Sequence, residues 1–262
     1  MRRRTLLGLP ALGAAGLVLA GCGDDGPVAR ATETIRYGDD PSQLVELSRP
    51  EETPRGVVVV IHGGFWKAAY DLSLGRPLAT DLVERGWAAL NIEYRRVGNG
   101  GGVPQTFDDV RAAIGTLDDQ GLDLSTVVTL GHSAGGHLAA WAAAAVDTVT
   151  HVISQAGVLD LVAADRDGLG GGAVQAFLGH PAGPADAAAD PSQQLPLDVP
   201  VWCVHGTDDD IVPIGQSAGY VAAATALGAQ AELVEAAGDH FVVIDPATEA
   251  WAKTVEVLDG IG

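Results

Sequence analysis

Short apolar segments and amphipathic stretches alternate along most of this chain, and their periods separate strands from helices. Segments with a two-residue repeat or unbroken β-branched character recur at 34–37, 44–47, 57–61, 88–94, 127–130, 149–155, 201–204 and 231–234, as strands require. From residue 57 onward, helical patterns fall between them at 74–85, 107–118, 136–145, 214–227 and 247–258. Alternation of this kind predicts a mostly parallel sheet of about eight strands with helices on both faces. The run Val57-Val58-Val59-Val60-Ile61 has no polar face, so it is expected at the centre of that sheet, covered on both sides. Chemistry in such folds collects beyond the carboxyl ends of the strands. Residues 158–197 interrupt the alternation with Gly168, Gly170, Gly171, Gly172 and four prolines. They read as an insertion or small cap over the active face, with a plain surface excursion as the alternative.

The first residues stand outside this pattern. Arg2-Arg3-Arg4 precedes an apolar stretch at 6–20 that ends in Leu19-Ala20-Gly21-Cys22. A basic start, a short apolar run and small residues before a cysteine make an export signal resembling a bacterial lipobox, with Cys22 as the lipid attachment point. Arg3-Arg4-Thr5-Leu6-Leu7 also fits a twin-arginine motif, and a plain basic signal region fits as well. An uncleaved anchor helix is disfavoured by the short length of the apolar run. The expected layout is a signal at 1–21, a tether at 22–33 and a folded α/β domain at 34–262, exported and held to the cell membrane by lipid on Cys22.

With Cys22 lipidated, only Cys203 remains, inside the apolar run Val201-Trp202-Cys203-Val204. No intramolecular disulfide is then available, and Cys203 reads as a small buried hydrophobe. The formal net charge is −19, and removing residues 1–21 takes away three arginines and no acid, leaving 12 bases against 34 acids. Nucleic acid is excluded as a partner by that imbalance.

The candidate chemistry sits at strand ends. The segment 127–130 runs into Gly131-His132-Ser133-Ala134-Gly135 and then an alanine-rich helix; a serine on such a sharp turn is poised as a nucleophile. The strand at 201–204 leads into His205-Gly206-Thr207-Asp208-Asp209-Asp210. Asp209 is the best orienting carboxylate there, and Asp208 and Asp210 compete with it. The strand at 231–234 leads into Gly238-Asp239-His240-Phe241, which makes His240 the candidate base. The order serine, aspartate, histidine differs from that of the chymotrypsin and subtilisin folds. The central run ends in His62-Gly63-Gly64-Phe65-Trp66, whose glycines can turn amides toward a carbonyl oxygen. The expected oxyanion donors are the amide of Ala134 and an amide at Gly64 or Phe65.

These motifs together resemble the α/β-hydrolases, and within them the esterase and kynurenine formamidase-like group that carries His-Gly-Gly-aromatic-Trp in its oxyanion loop. The likeness extends through Asn91-Ile92-Glu93-Tyr94-Arg95, Asp108-Asp109-Val110-Arg111-Ala112-Ala113 and the Val212-Pro213 pair. It departs from the hormone-sensitive-lipase-like pattern, which has a third glycine in place of Phe65. The resemblance implies a Ser133, Asp209, His240 triad and acyl hydrolysis with no cofactor or metal.

Other residues are assigned humbler roles. His62 is expected to organise the oxyanion loop, and neither His132 nor His137 lies where the base should be. The Asp208–Asp210 run lacks the spaced ligands of a calcium loop. Phe65 and Trp66 are candidates to line the substrate pocket, with core packing the alternative for Trp66. The expected reaction is hydrolysis of small carboxylic esters; an arylformamidase acting on an activated amide is the alternative enzyme, and a silent envelope binding module the alternative of another class. A prolyl-oligopeptidase-like peptidase is disfavoured, because the chain has no room for a propeller.

Overall fold

The computed structural model describes residues 32–261, so the expected signal, most of the tether and Cys22 lie outside the described residues. Strands β1 (Glu33–Arg36), β2 (Leu44–Ser48), β3 (Val57–Ile61), β4 (Ala88–Ile92), β5 (Val127–His132), β6 (His151–Gln155), β7 (Val201–Gly206) and β8 (Ala231–Ala236) form one sheet in the order β1-β2-β4-β3-β5-β6-β7-β8. Pairs β1/β2 and β2/β4 are antiparallel and all others parallel. The expected central strand is indeed interior, since β3 pairs with both β4 and β5.

The pleat explains why β3 carries no polar side chain. Val57, Val59 and Ile61 enter one hydrophobic core while Val58 and Val60 enter the other. Each is essentially fully buried, which contributes on the order of 1.5–3 kcal/mol per side chain. Helices α2 (Gln105–Gly115), α3 (Ala134–Ala145) and α6 (Gly215–Ala226) cover the first core. Helices α1 (Arg76–Glu84) and α7 (Glu249–Ile261) cover the second, with Leu78, Leu82, Trp251 and Leu258 facing inward. The loops that leave the carboxyl ends of β3, β5 and β7 therefore spring from the most heavily packed part of the molecule.

Element ends depart from the sequence pattern where polar contacts take over. The strand expected through residue 94 stops at Ile92, because Glu93 and Tyr94 turn into a buried hydrogen-bonded cluster. Before α1, Asp71 accepts from the Ser73 amide at 2.9 Å and caps a separate turn, Leu72–Leu74. The strand β5 runs two residues beyond expectation, to His132, immediately before the nucleophile candidate.

Residues 158–197 fold into helices α4 (Leu161–Arg166) and α5 (Ala173–Leu178) joined by short turns. They pack on the site side of the sheet: the Phe177 ring stacks on Trp66 at 4.6 Å and meets Phe107 edge-on at 5.5 Å. Among the described residues, no helix is long and apolar enough to cross a membrane.

Candidate active site

Ser133 sits between β5 and α3 with φ 56° and ψ −120°. A non-glycine residue held there stores about 1–3 kcal/mol of backbone strain, which the surroundings must overcome. They do so through hydrogen bonds at both ends of the residue: the Ser133 amide donates to Gln155 O at 2.8 Å, and its carbonyl accepts from the His137 amide at 3.1 Å. The flanking glycines are demanded by packing. A Cβ at Gly135 would drive into the carbonyl oxygens of Ile61 and His62, and one at Gly131 into the carbonyl of Gly135. The turn is thus pressed against the end of β3. Alanine and glycine in α3 serve the same closeness, since a Cβ on Gly136 would lie 2.7 Å from Ser154 Oγ.

Of the three consecutive aspartates, only Asp209 turns inward; Asp208 and Asp210 are exposed. Asp209 Oδ1 accepts from the amides of Ile211 and Val212 at 2.9 and 2.8 Å. Its Oδ2 lies 2.6 Å from His240 Nδ1. The imidazole therefore donates from Nδ1, which leaves Nε2 as an acceptor, the protonation state a general base needs. Burial pushes the Asp209 carboxyl up, but the hydrogen bonds from His205, His240 and the Val212 amide outweigh it and hold the group well below the usual carboxylate range.

A second histidine stands behind this carboxylate. His205 Nε2 lies 3.1 Å from Asp209 Oδ2 and 2.9 Å from Val212 O, and Nδ1 faces Ser217 Oγ at 2.8 Å. Facing a carbonyl and a carboxylate, Nε2 is the donor, and the ring contacts the same carboxylate oxygen as His240. None of the strand-end motifs marks it for a role. Its signal was a polar residue inside the otherwise apolar end of β7, four positions before the acid.

Ser133 and His240 line one cleft of about 150 Å³ together with Gly64, Phe65 and Ile211. Tyr70, Leu74 and Phe241, three of the most exposed large apolar side chains, form its rim. Among the described residues Ser133 Oγ makes no hydrogen bond, so it is available to an incoming carbonyl. A cavity of about 370 Å³ between α4 and α6 contains neither Ser133 nor His240. Among the described residues no group of three or more His, Cys, Asp or Glu side chains is placed to hold a metal ion.

The amides expected to receive an oxyanion lie on two turns in contact. Ala134 opens α3, where the first amides have no intrahelical acceptor. The Gly63-Gly64 turn passes so close that a Cβ on Gly63 would lie 3.1 Å from Ser133 Cβ. Gly64, Phe65 and Trp66 all have positive φ, at 112°, 53° and 53°, so this loop too is held in a strained form. His62 organises it as expected: Nδ1 donates to Gly63 O at 2.8 Å, and the ring stacks on Tyr94 at 4.5 Å. Tyr94 in turn donates to His62 O at 2.7 Å, and the buried Glu93–Arg96 ion pair closes the cluster from behind.

Trp66 corrects one expectation. It is fully buried, stacks on Phe177 and donates its indole N–H to His137 Nδ1 at 3.3 Å. On this turn Phe65 lines the cleft, whereas Trp66 belongs to the core beneath α5. His132 and His137 are likewise structural. His132 Nε2 donates to the His240 carbonyl at 2.9 Å, and His137 Nε2 to Ala189 O at 2.8 Å. Cys203 is buried, and its thiol is pushed up to about 12 by desolvation, so it is inert.

Burial lowers His62 to about 3, His132 to about 3 and His137 to about 4; the Arg96 charge adds to this at His62, and the His240 charge at His132. All three are neutral in the folded protein, whereas the unfolded chain protonates them near 6.5. From about pH 6.5 down to 4 the unfolded state binds more protons, so stability is expected to fall as pH falls, by up to about 1.4 kcal/mol per pH unit for each ring. Asp209 adds its own loss only below about pH 4, where its unfolded carboxyl protonates. Urea midpoints from pH 8 to pH 4 check this, and a flat profile between 6.5 and 4 would contradict the burial of these rings.

The chain is similar to known proteins. Esterase LipC of Mycobacterium tuberculosis is 29% identical over 217 residues, which is 71% of this chain and 53% of that protein. This chain thus spans about half the length of that relative. Esterase B from Lactobacillus rhamnosis superimposes with a TM-score of 0.74 at 23% identity, covering 90% of this chain and 85% of that one. The esterase Est2 of Thermogutta terrifontis does so with a TM-score of 0.70 at 24% identity, covering 87% and 90%. The α/β-hydrolase fold expected from the motifs is therefore the fold observed. A family model described as BD-FAE matches residues 45–223, most of the sheet and the turns that carry Ser133 and Asp209, and the chain belongs to the BD-FAE family.

Proposed function

We propose that this protein is a serine hydrolase that cleaves carboxylic esters of small substrates through an acyl-enzyme on Ser133. The observation that carries this reading is the 2.6 Å contact between His240 Nδ1 and Asp209 Oδ2 beside a cleft that a strained Ser133 and His240 both line. A small, mostly apolar cleft suits an acyl or alkoxy group of modest size, and relatives that bear the name esterase agree with it.

In the acylation step Ser133 Oγ attacks the substrate carbonyl while His240 Nε2 takes its proton. The oxyanion is received by the Ala134 amide and an amide at Gly64 or Phe65; one such donor is worth about 3–4 kcal/mol. Collapse breaks the bond to the alcohol oxygen, which leaves with the proton from His240. Water then attacks the acyl-serine, His240 takes its proton and returns it to Ser133, and the carboxylic acid departs. Asp209 keeps the imidazole in the required tautomer and offsets its charge at each transfer.

The aromatic side chains of Phe65, Tyr70 and Phe241 around the cleft favour one second reading, an arylformamidase using the same residues on an N-formyl arylamine. A fluorophosphonate probe is expected to label the protein stoichiometrically. Turnover of para-nitrophenyl acetate and butyrate should exceed that of N-formylaniline; the reverse preference would establish the formamidase. A folded protein that takes no label would instead be a binding module.

A further inference from the structure

Residues 158–197 meet the cleft-lining residues at Val158, whose amide donates to Ser133 O at 3.4 Å, and at a glycine that does not itself line the cleft. Phe65 lines the cleft beside Ser133, and its ring also lies against Gly170, at the middle of the turn between α4 and α5. The approach leaves no space for a side chain: a Cβ on Gly170 would sit 2.6 Å from Phe65 Cε1 and 2.9 Å from Cγ. Lys67 straps the two together. Its ammonium donates to Gly170 O at 2.9 Å and lies 5.5 Å from the centre of the Phe65 ring, close enough for a cation–π attraction. The turn itself is a run of positive-φ glycines, with Gly168, Gly170, Gly171 and Gly172 at 68°, 61°, 68° and 83°. Of these only Gly170 meets another side chain; added Cβ atoms at the other three would have nothing within 4 Å.

We propose that Gly170 is a specificity-determining residue: by backing the Phe65 ring, with Lys67 as the strap, it sets the width of the cleft and so the size of ester that reaches Ser133. The proposal rests on the hydrolase reading above and adds to it the part of the chain that limits substrate size. Phe65 is the movable wall, because its ring both lines the cleft and meets the glycine turn. Bulk added at Gly170 pushes the ring toward Ser133 and narrows the site. Loss of the strap lets the ring retreat and widens it. Gly171 supplies the control, since alanine there carries the same positive-φ strain without touching Phe65.

The test measures kcat/KM of the full chain on para-nitrophenyl esters from acetate to octanoate, and on acetate esters of n-alkanols from methanol to octanol. Gly170→Ala is expected to lower the long-to-short ratio by about tenfold in at least one series, within the range that one misfitting methylene imposes in an apolar pocket. Gly171→Ala should leave both ratios within about twofold of the parent, well below that shift. Lys67→Met, which adds no bulk at the turn, should raise the affected ratio and keeps the idea open to refutation even if Gly170→Ala does not fold. In a Phe65→Ala background, adding Gly170→Ala should change nothing further, because the wall it acts through is gone. Equal shifts in Gly170→Ala and Gly171→Ala, unchanged ratios in both Gly170→Ala and Lys67→Met, or a shift that survives Phe65→Ala would each overturn the proposal while leaving an active enzyme. A parent protein that hydrolyses neither series and takes no fluorophosphonate overturns the hydrolase reading, and this proposal with it.

Discussion

Replacing Ser133 with alanine is expected to lower kcat on a para-nitrophenyl ester by about 10⁶, a barrier increase of roughly 8 kcal/mol. The size follows from the unit in which the residues act. Without Oγ there is no acyl-enzyme, and His240 and Asp209 have no proton to move. What remains is the Ala134 amide and the His62–Trp66 loop, which still bind a carbonyl oxygen and retain a rate about 10³–10⁴ above water. Alanine at φ 56° suffers the same strain as serine, so the fold should survive. An unchanged thermal midpoint beside the lost turnover would assign the effect to chemistry, whereas a kcat within tenfold of the parent would remove Ser133 as the nucleophile.

Asp209→Asn is expected to cost about 10⁴ in kcat. The carboxylate accepts from His240 and His205 on one oxygen and from the Ile211 and Val212 amides on the other. An asparagine carbonyl can keep the two amide bonds, but its NH₂ group then faces two N–H donors. His240 relieves that conflict by moving its proton to Nε2, where it can no longer accept one from Ser133. Asp208→Asn and Asp210→Asn alter exposed side chains and should stay within about 0.5 kcal/mol of the parent in stability, with turnover intact. Near-normal activity in Asp209→Asn would contradict the geometry, and loss of activity in either neighbour would move the acid there.

The contrast among these three aspartates shows how far the chain could be read without its fold. That an acid belongs after the seventh strand was legible, since strand ends are where chemistry collects and Val201-Trp202-Cys203-Val204 marks the strand plainly. Which of three adjacent carboxylates turns inward was not, because neighbouring positions on a turn differ only in direction, and direction depends on what lies across the cleft. The Ile211 and Val212 amides and His240 are what draw Asp209 in. The same limit caught Trp66. An aromatic beside Phe65 on a loop of small residues looks like a second pocket wall, yet Trp66 is fully buried, and Phe177 of α5 supplies its stacking partner.

His205 was hidden for a related reason. A histidine in an apolar strand is read most simply as a satisfied core residue, and this one is satisfied, by Val212 O and Ser217 Oγ. Only its third contact, to Asp209, ties it to the site. By itself the sequence determined what periodicity and strand-end motifs encode locally: an α/β sheet with β3 inside it, a strained serine after β5, and an acid and a histidine following it in chain order. The tertiary structure alone decided which side chains meet, Asp209 with His240 and His205, Gly170 with Phe65, Trp66 with Phe177. All but the Asp209–His205 contact, which spans four residues, join segments far apart in the chain, and their geometry is set by packing density and backbone direction that no local pattern of residues specifies.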